Sequence, residues 1–330
     1  MAHFDIPKAE RGAAQPVERR ASLTSTLLAL EDPTRLIPSI ELDVLSDLTP
    51  VDLRRFQETW KTLPQERRRS LLTNLVEIAE DHVDAYFVPI YRWLMDDEDP
   101  VVRAQAIEGL WEDEDVRLIS PLIRRLESDE VPEVRAVAAI SLGRFVLMSE
   151  LGQLDPTVAR RISNALLNAF AHADNDVVVR RRALEALAYS SQEHVQDLIL
   201  EAYQDDDDGL RLSAVFAMGR SADLRWKDTI LDELVSTDGG MRFEAARASG
   251  ELELADAVPE LIGFLQEDDV DLRDSAVWAL GRIGGPEARR ALQACADSTD
   301  EDLREAAEDA LAEIDLFSGD DDVPAFLLEP

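Results

Sequence analysis

DVDLRDSAVWALG, residues 269–281, decides the fold. Leu272, Ala276 and Leu280 fall four apart, which is one stripe of an α-helix. Asp269 stands where an N-cap belongs, and Gly281 closes the stripe. The same pattern recurs as DPVVRAQAIEGLW (99–111), VPEVRAVAAISLG (131–143) and DVVVRRRALEALA (176–188). DDGLRLSAVFAMG (207–219), DGGMRFEAARASG (238–250) and DEDLREAAEDALA (300–312) complete the set.

Each unit is built on one arginine: Arg103, Arg135, Arg180, Arg211, Arg242, Arg273 and Arg304. Their spacings are 32, 45, 31, 31, 31 and 31 residues. The 45 reads as one repeat plus a surplus around residues 148–161. A second apolar stretch follows most units: VRLISPLIRRL, EHVQDLILEAY, WKDTILDELV, AVPELIGFL and EARRALQACA. A period near 31 therefore holds two helices of about 12 residues, each about 18 Å long. Neither a sustained period-two run nor an Asn-Gly turn signals a strand. The predicted caps are Asp99, Asp176, Asp207, Asp238, Asp269 and Asp300. The second unit departs, with Val131 at the cap and Asp129 and Glu130 before it. Stacking is expected to bring each repeat arginine to an acid of a neighbouring unit.

This core of acid, two spacers, apolar residue, arginine, two spacers and alanine resembles the HEAT-like repeat family. The likeness is to its short form in bacterial proteins related to phycobilin lyases, and AVPELI in the second helix fits it too. It covers roughly residues 96–315. The resemblance implies an all-α protein, an α-solenoid of about seven helix pairs. Ankyrin fits worse because no T-P-L-H run appears, and tetratricopeptide arrays use a longer period.

Outward from the array, residues 1–45 mix Pro, Arg, Ser and acids, and read as a partly disordered extension with one short helix at SLTSTLLAL. Residues 46–95 read as a divergent helical cap, which a solenoid needs over its end. Thr49-Pro50 starts one helix with Leu53, Phe56 and Trp60 on a face. PQERRRSLLTNLVEIAE makes another through Leu71, Leu75 and Ile78, and a third spans Tyr86 to Leu94. Residues 316–330 read as an acidic flexible tail with an apolar triplet, Phe326-Leu327-Leu328.

The chain has 330 residues and a formal net charge of −35, from 69 acidic and 34 basic groups. Residues 1–95 hold 12 basic and 15 acidic groups, residues 96–315 hold 22 and 50, and residues 316–330 hold none and four. The acidity belongs to the array. Such a field repels phosphate backbones, so nucleic acid is excluded as a partner of the solenoid. A third resemblance-based reading, a HEAT-like DNA-binding protein, is disfavoured on the same ground. Only three lysines occur, Lys8, Lys61 and Lys227. A GC-rich genome is the first reading of that, and a salt-adapted surface the alternative. Residues 50–70 are locally net +3, which reads as a solvated helix face or as a small patch for nucleic acid or for an acidic protein surface. No apolar run reaches the 18 or so residues of a membrane span. The N-terminus has no apolar signal core, and the single Cys295 fits a reducing compartment. A cytoplasmic protein is expected.

No catalytic, cofactor or metal site is expected. His3, His82, His172 and His194 are scattered and form no HExxH-type pair. Cys295 in QACAD reads as a buried thiol. The runs Asp96–Asp99 and Asp205–Asp208 read as capping acids at helix starts, without the D-x-D-x-D-G grammar of a calcium loop. No phosphate-binding glycine loop appears.

Arg144, Arg220 and Arg282 recur just past the first helix. They read either as helix C-terminal cations or as a row of donors for acidic segments of a partner. Trp111, Tyr189 and Trp226 stand near them as aromatic anchors. The expected function is a non-catalytic scaffold that binds a protein or peptide along the solenoid, the partner being basic where the acidic field steers association. The alternative, implied by the family resemblance, is a phycobilin-lyase-like enzyme or subunit that handles a tetrapyrrole and its carrier protein.

Overall fold

The computed structural model describes residues 22–32, 34–82, 84–172 and 176–318. Most of the N-terminal extension and residues 319–330 of the tail lie outside the described residues. Every regular element among the described residues is a helix. The chain divides into two compact units, Met1–Glu112 and Asp113–Pro330. The division falls inside the first repeat, between its two helices.

The first unit holds α1 (Leu23–Glu31), α2 (Ser39–Leu42), α3 (Pro50–Thr62), α4 (Gln65–Asp81), α5 (Val88–Leu94) and α6 (Pro100–Glu108). Phe56, Trp60, Leu72, Leu75, Ile90 and Tyr91 are buried at its centre. Thr49 caps α3 by accepting from the Asp52 amide at 3.2 Å. The basic stretch of α4 is consumed inside this unit. Arg67 donates to the Arg35 carbonyl at 2.7 Å. Arg68 pairs with Asp97 and Glu98. Arg69 forks onto Asp99 at 2.7 and 3.0 Å. The sequence-level patch over residues 50–70 is thus largely internal wiring, because the loop before α6 offers three carboxylates in a row beside it.

The second unit alternates first and second helices. The first helices are α8 (Pro132–Glu150), α10 (Val177–Leu187), α12 (Asp208–Arg220), α14 (Gly239–Glu251), α16 (Val270–Ile283) and α18 (Glu301–Ser318). The second helices are α7 (Ile119–Ser128), α9 (Pro156–Ala171), α11 (Glu193–Tyr203), α13 (Lys227–Leu234), α15 (Val258–Phe264) and α17 (Gly285–Ala296). Each first helix packs on the next, and second helices pack on the first helices beside them. Within this unit the array is the helix-pair solenoid expected from the period. The surplus residues of the 45-residue step lengthen α8 to 19 residues and α9 to 16, rather than forming a long loop.

Two local devices set the stack. The acids are caps as read from sequence: Asp176, Asp207, Asp238 and Asp269 accept from amides two or three residues on, at 2.9–3.2 Å. Asp99 does the same for α6 in the first unit, at 3.1 Å. Val131 offers no side-chain cap, and Asp129 accepts the Val131 amide at 3.1 Å instead. The second device is glycine eight residues after the repeat arginine. A Cβ on Gly219 would lie 2.6 Å from Ala248 Cα, and one on Gly250 would lie 2.9 Å from Ala279 Cα. One on Gly281 would lie 2.9 Å from Ala310 Cβ. Successive first helices therefore touch backbone to backbone at these points, and any side chain would force them apart.

The repeat arginine does not form the inter-repeat ladder expected of it. Arg135, Arg211 and Arg242 each reach back to the carbonyl six residues upstream, on Asp129, Asp205 and Ser236, at 2.9, 3.1 and 3.1 Å. Arg103 does likewise to Asp97 in the first unit, at 3.0 Å. The arginine thus ties down the loop that enters its own helix. It satisfies loop carbonyls that lie just past the end of the preceding helix. Arg180 and Arg273 do pair with an acid of the following unit, Asp205 at 3.6 Å and Asp300 at 3.4 Å.

Candidate interaction surface

The stripe that packs on the second helices leaves an opposite, outer face on each first helix. Counted from the repeat arginine, that face shows positions +1, +5 and +9. Position +9 reads Arg144, Tyr189, Arg220, Glu251, Arg282 and Glu313 along the stack. Position +5 supplies Phe216, Arg247 and Trp278, and position +1 supplies Phe243.

The sequence-predicted residues separate on this framework. Arg220 and Tyr189 do come together: the Arg220 guanidinium lies 5.6 Å from the centroids of both Tyr189 and Phe216 and pairs with Glu251 at 3.0 Å. Arg282 lies farther along the row and bridges Glu253 and Glu313 at 3.4 and 3.3 Å. Arg144 is a tether instead of a surface donor. Its Nε donates to the Asp113 carbonyl at 3.1 Å, and burial pulls its pKa down to about 10. Trp226 is 6% exposed, with its indole N–H donating to Gln196 Oε1 at 2.8 Å. It is a core residue, because the short 3₁₀ turn Leu224–Trp226 aims it inward. Trp111 is 61% exposed but belongs to the first unit.

The sequence reading missed Phe216, Phe243, Arg247 and Trp278. Arg247 lies 5.8 Å from the Phe216 ring and 6.0 Å from the Phe243 ring, and forms no ion pair with a described carboxylate. The two arginines and two phenylalanines form a continuous stack across α12 and α14, and Trp278 on α16 presses against Gly250 while 37% of it stays exposed. Cation–π contacts of this kind contribute about 0.5–1 kcal/mol each at exposed sites. Positions +1 and +5 counted from the repeat arginine are the signal that would have found them.

Charge is distributed against this face. Among the described residues, α7 to α17 carry 17 carboxylates and 18 basic groups, whereas their connections over residues 113–300 carry 19 carboxylates and two arginines. The helices are close to neutral and the acidity sits on the turns.

The displaced titrations have structural causes. Asp99 is held down to about 2 by Arg69, with Gln65 and the Val101 amide adding to it. Tyr203 is pushed up to about 12 by burial and by donating to Glu233 at 2.5 Å. Burial raises Glu244 and the Cys295 thiol. A shallow polar cleft of about 380 Å³ lies where α12 and α14 begin. Its charged groups are engaged: Arg211 holds carbonyls, Asp238 caps α14 and Glu233 accepts from Tyr203. No group of three or more His, Cys, Asp or Glu among the described residues could hold a metal ion. No described helix is long and apolar enough to cross a membrane.

The family model of HEAT repeats matches residues 88–159 and 227–312. The chain therefore carries HEAT repeats. No curated protein matches it in sequence. Among solved structures it is similar to importin beta, at 15% identity over 88% of this chain and 44% of that one, with a TM-score of 0.45. It is also similar to the complex of CpcE and CpcF of phycocyanin lyase from Nostoc sp. PCC7120, at 18% identity over 61% and 78% of the chains, TM-score 0.43. Human deoxyhypusine hydroxylase in complex with glycerol matches at 20% identity over 89% and 96%, TM-score 0.30. At these values the likenesses carry nothing about what this chain binds or catalyses.

Proposed function

We propose that this HEAT-repeat protein is a non-catalytic binding module that holds a protein or peptide on the outer face of α12, α14 and α16. The observation that supports this is the group of Arg220, Phe216, Arg247 and Phe243, with Trp278 partly exposed on the next helix against Gly250. Aromatic and arginine side chains are the residues most often responsible for binding energy at interfaces. Here they gather on the side of the helices that the solenoid core does not use. The acidic turns supply a long-range field that speeds encounter with a basic partner. The face itself offers guanidinium groups and rings, so the segment seated on it carries carboxylates and apolar side chains.

The test is capture of cross-linked partners by the full chain at low ionic strength, followed by mass spectrometry. The expected result is a defined protein partner whose recovery is lost with Phe216→Ala or Arg247→Glu at unchanged helicity. Recovery that these changes leave untouched, or no partner at all, overturns the reading.

A further inference from the structure

Each second helix buries one stripe on the first helices beside it and leaves the other in solvent, on the side of the array away from the outer face. On α7 and α9 the solvent stripe is basic. Arg124 is exposed on α7, and Arg160, Arg161 and Asn164 are exposed on α9. Arg161 joins the two helices by donating to Ser120 Oγ at 3.2 Å. Over Pro156–Ala171 α9 contains no carboxylate, and α7 contains only Glu127. Arg160 makes no ion pair with a described carboxylate.

The next two second helices have the opposite sign. On α11 there is no Lys or Arg, and Asp197 and Glu201 are exposed one turn apart with Leu200 beside them. Asp197 and Glu201 make no ion pair with a described basic group. On α13, Asp228 and Asp232 are exposed one turn apart. Both α9 and α11 pack on α10, so the sign changes between neighbours. The order along α7, α9, α11 and α13 is positive, positive, negative, negative.

We propose that this four-helix surface is where a second copy of the chain docks, about a two-fold axis passing between α9 and α11. A two-fold rotation sets α9 of each copy on α11 of the other, and α7 on α13, so every helix meets one of opposite sign. A head-to-tail shift would satisfy only half of the four helices and would not close. Arg160 and Arg161 meet Asp197 and Glu201 twice in the closed pair, and Leu200 supplies apolar surface beside them. The sign change has its origin in the 45-residue step, which makes α9, at 16 residues, the longest second helix of its unit and leaves it without acids.

Two chains of net charge −35 repel each other at long range. At physiological ionic strength that repulsion is screened beyond about 8 Å, whereas charges in contact keep their attraction. Exposed ion pairs are individually weak, so the association is weak and depends on concentration. Its register is fixed by the like-charge contacts that other registers would create. The outer face of α12, α14 and α16 stays open in such a pair.

The experiment is sedimentation equilibrium of the full chain at rising concentration near physiological ionic strength. The weight-average mass is expected to climb from 36.8 kDa toward twice that value. Arg160→Glu with Arg161→Glu, and separately Asp197→Arg with Glu201→Arg, should each weaken association at least about tenfold at unchanged circular dichroism. Mixing the two variants should restore it as a heterodimer, because both contacts across the axis again join opposite charges. A chain that stays monomeric, self-association indifferent to either reversal, or a mixture that fails to recover overturns the proposal. A monomeric chain that instead binds poly-glutamate through Arg160 and Arg161 also overturns it, and gives the face to an acidic partner.

Discussion

The two ends of the same first helices use arginine in opposite ways. At the entry edge, Arg135, Arg211 and Arg242 point back into their own loops and hold backbone carbonyls beneath a rim of capping aspartates. On the outer face, the Arg220 and Arg247 guanidinium groups lie 5.6–6.0 Å from the ring centroids of Phe216, Tyr189 and Phe243. The first set closes hydrogen bonds that folding would otherwise leave open. The second adds little to the core and faces solvent. Recurrence in every repeat is therefore the mark of construction, and departure from the repeat is the mark of a surface available for recognition. The comparison predicts that changes at the edge and at the helix contacts alter stability, whereas changes on the outer face alter binding.

The largest effect is expected at the backbone contact that both regions depend on. Gly219→Val places a branched side chain where even a Cβ would meet Ala248 Cα at 2.6 Å. A loss of about 3 kcal/mol or more is expected, read by denaturant unfolding, in keeping with overpacking at an unyielding site. A loss under about 1 kcal/mol would mean that the helices can slide apart.

At the edge, Arg211→Met removes the donor to the Asp205 and Asp206 carbonyls at 3.1 and 3.3 Å. About 1.5–3 kcal/mol is expected from charge-assisted bonds of this kind. Partner capture should be unchanged once the protein is folded.

A smaller, pH-dependent effect belongs to the first unit. Asp99 is held well below its ordinary value, at about 2, by Arg69. Its ionised form is thus favoured by folding. The contribution is fully present above about pH 4 and is lost as pH falls through 2. Asp99→Asn should cost about 1 kcal/mol at neutral pH, the partly exposed arginine limiting the gain, and the cost should vanish only well below pH 2. A pH-independent difference in melting between the two proteins would reject this cause.

The smallest effect is expected at Glu244, whose carboxyl is raised by burial beside the outer face. Folding disfavours its ionised form, so Glu244→Gln should raise the melting temperature slightly at pH 7. The advantage should shrink as the pH falls and the native glutamate protonates. An advantage that grows on acidification would contradict the sign.

Much of the construction was legible before any coordinates. A cap needs only an aspartate before an apolar stripe, and Asp207 binds the Leu210 amide as that local chemistry dictates. The period located the helix pairs, but the glycine at +8, which reads as the close of the stripe, lies inside α16 at Gly281 and marks a contact between helices instead. The arginine's true partner was hidden because a backbone carbonyl has no signature in sequence, whereas a nearby acid does. Trp226 looked like a surface anchor because nothing in WKDTIL reports the turn that buries it. Arg144 looked like a member of the surface row until the Asp113 carbonyl closed over it. Phe216, Phe243 and Trp278 escaped because they occupy different repeats at positions where other repeats carry acids or arginine. The stacking of α12 on α14 brings Phe216 and Phe243 to the same arginine, Arg247, and that of α16 on α14 sets Trp278 against Gly250.

The most direct test sets the two arginine classes against each other in one capture experiment. Full-length protein, its Arg211→Met variant and its Arg247→Glu variant are immobilised, cross-linked to host extract and compared, with melting measured in parallel. The prediction is that Arg211→Met melts lower and keeps its partner, while Arg247→Glu melts within about 2 °C of the parent, a change below about 0.5–1 kcal/mol, and loses it. If both variants keep the partner, or if Arg211→Met alone loses it, the outer face is not where this solenoid binds.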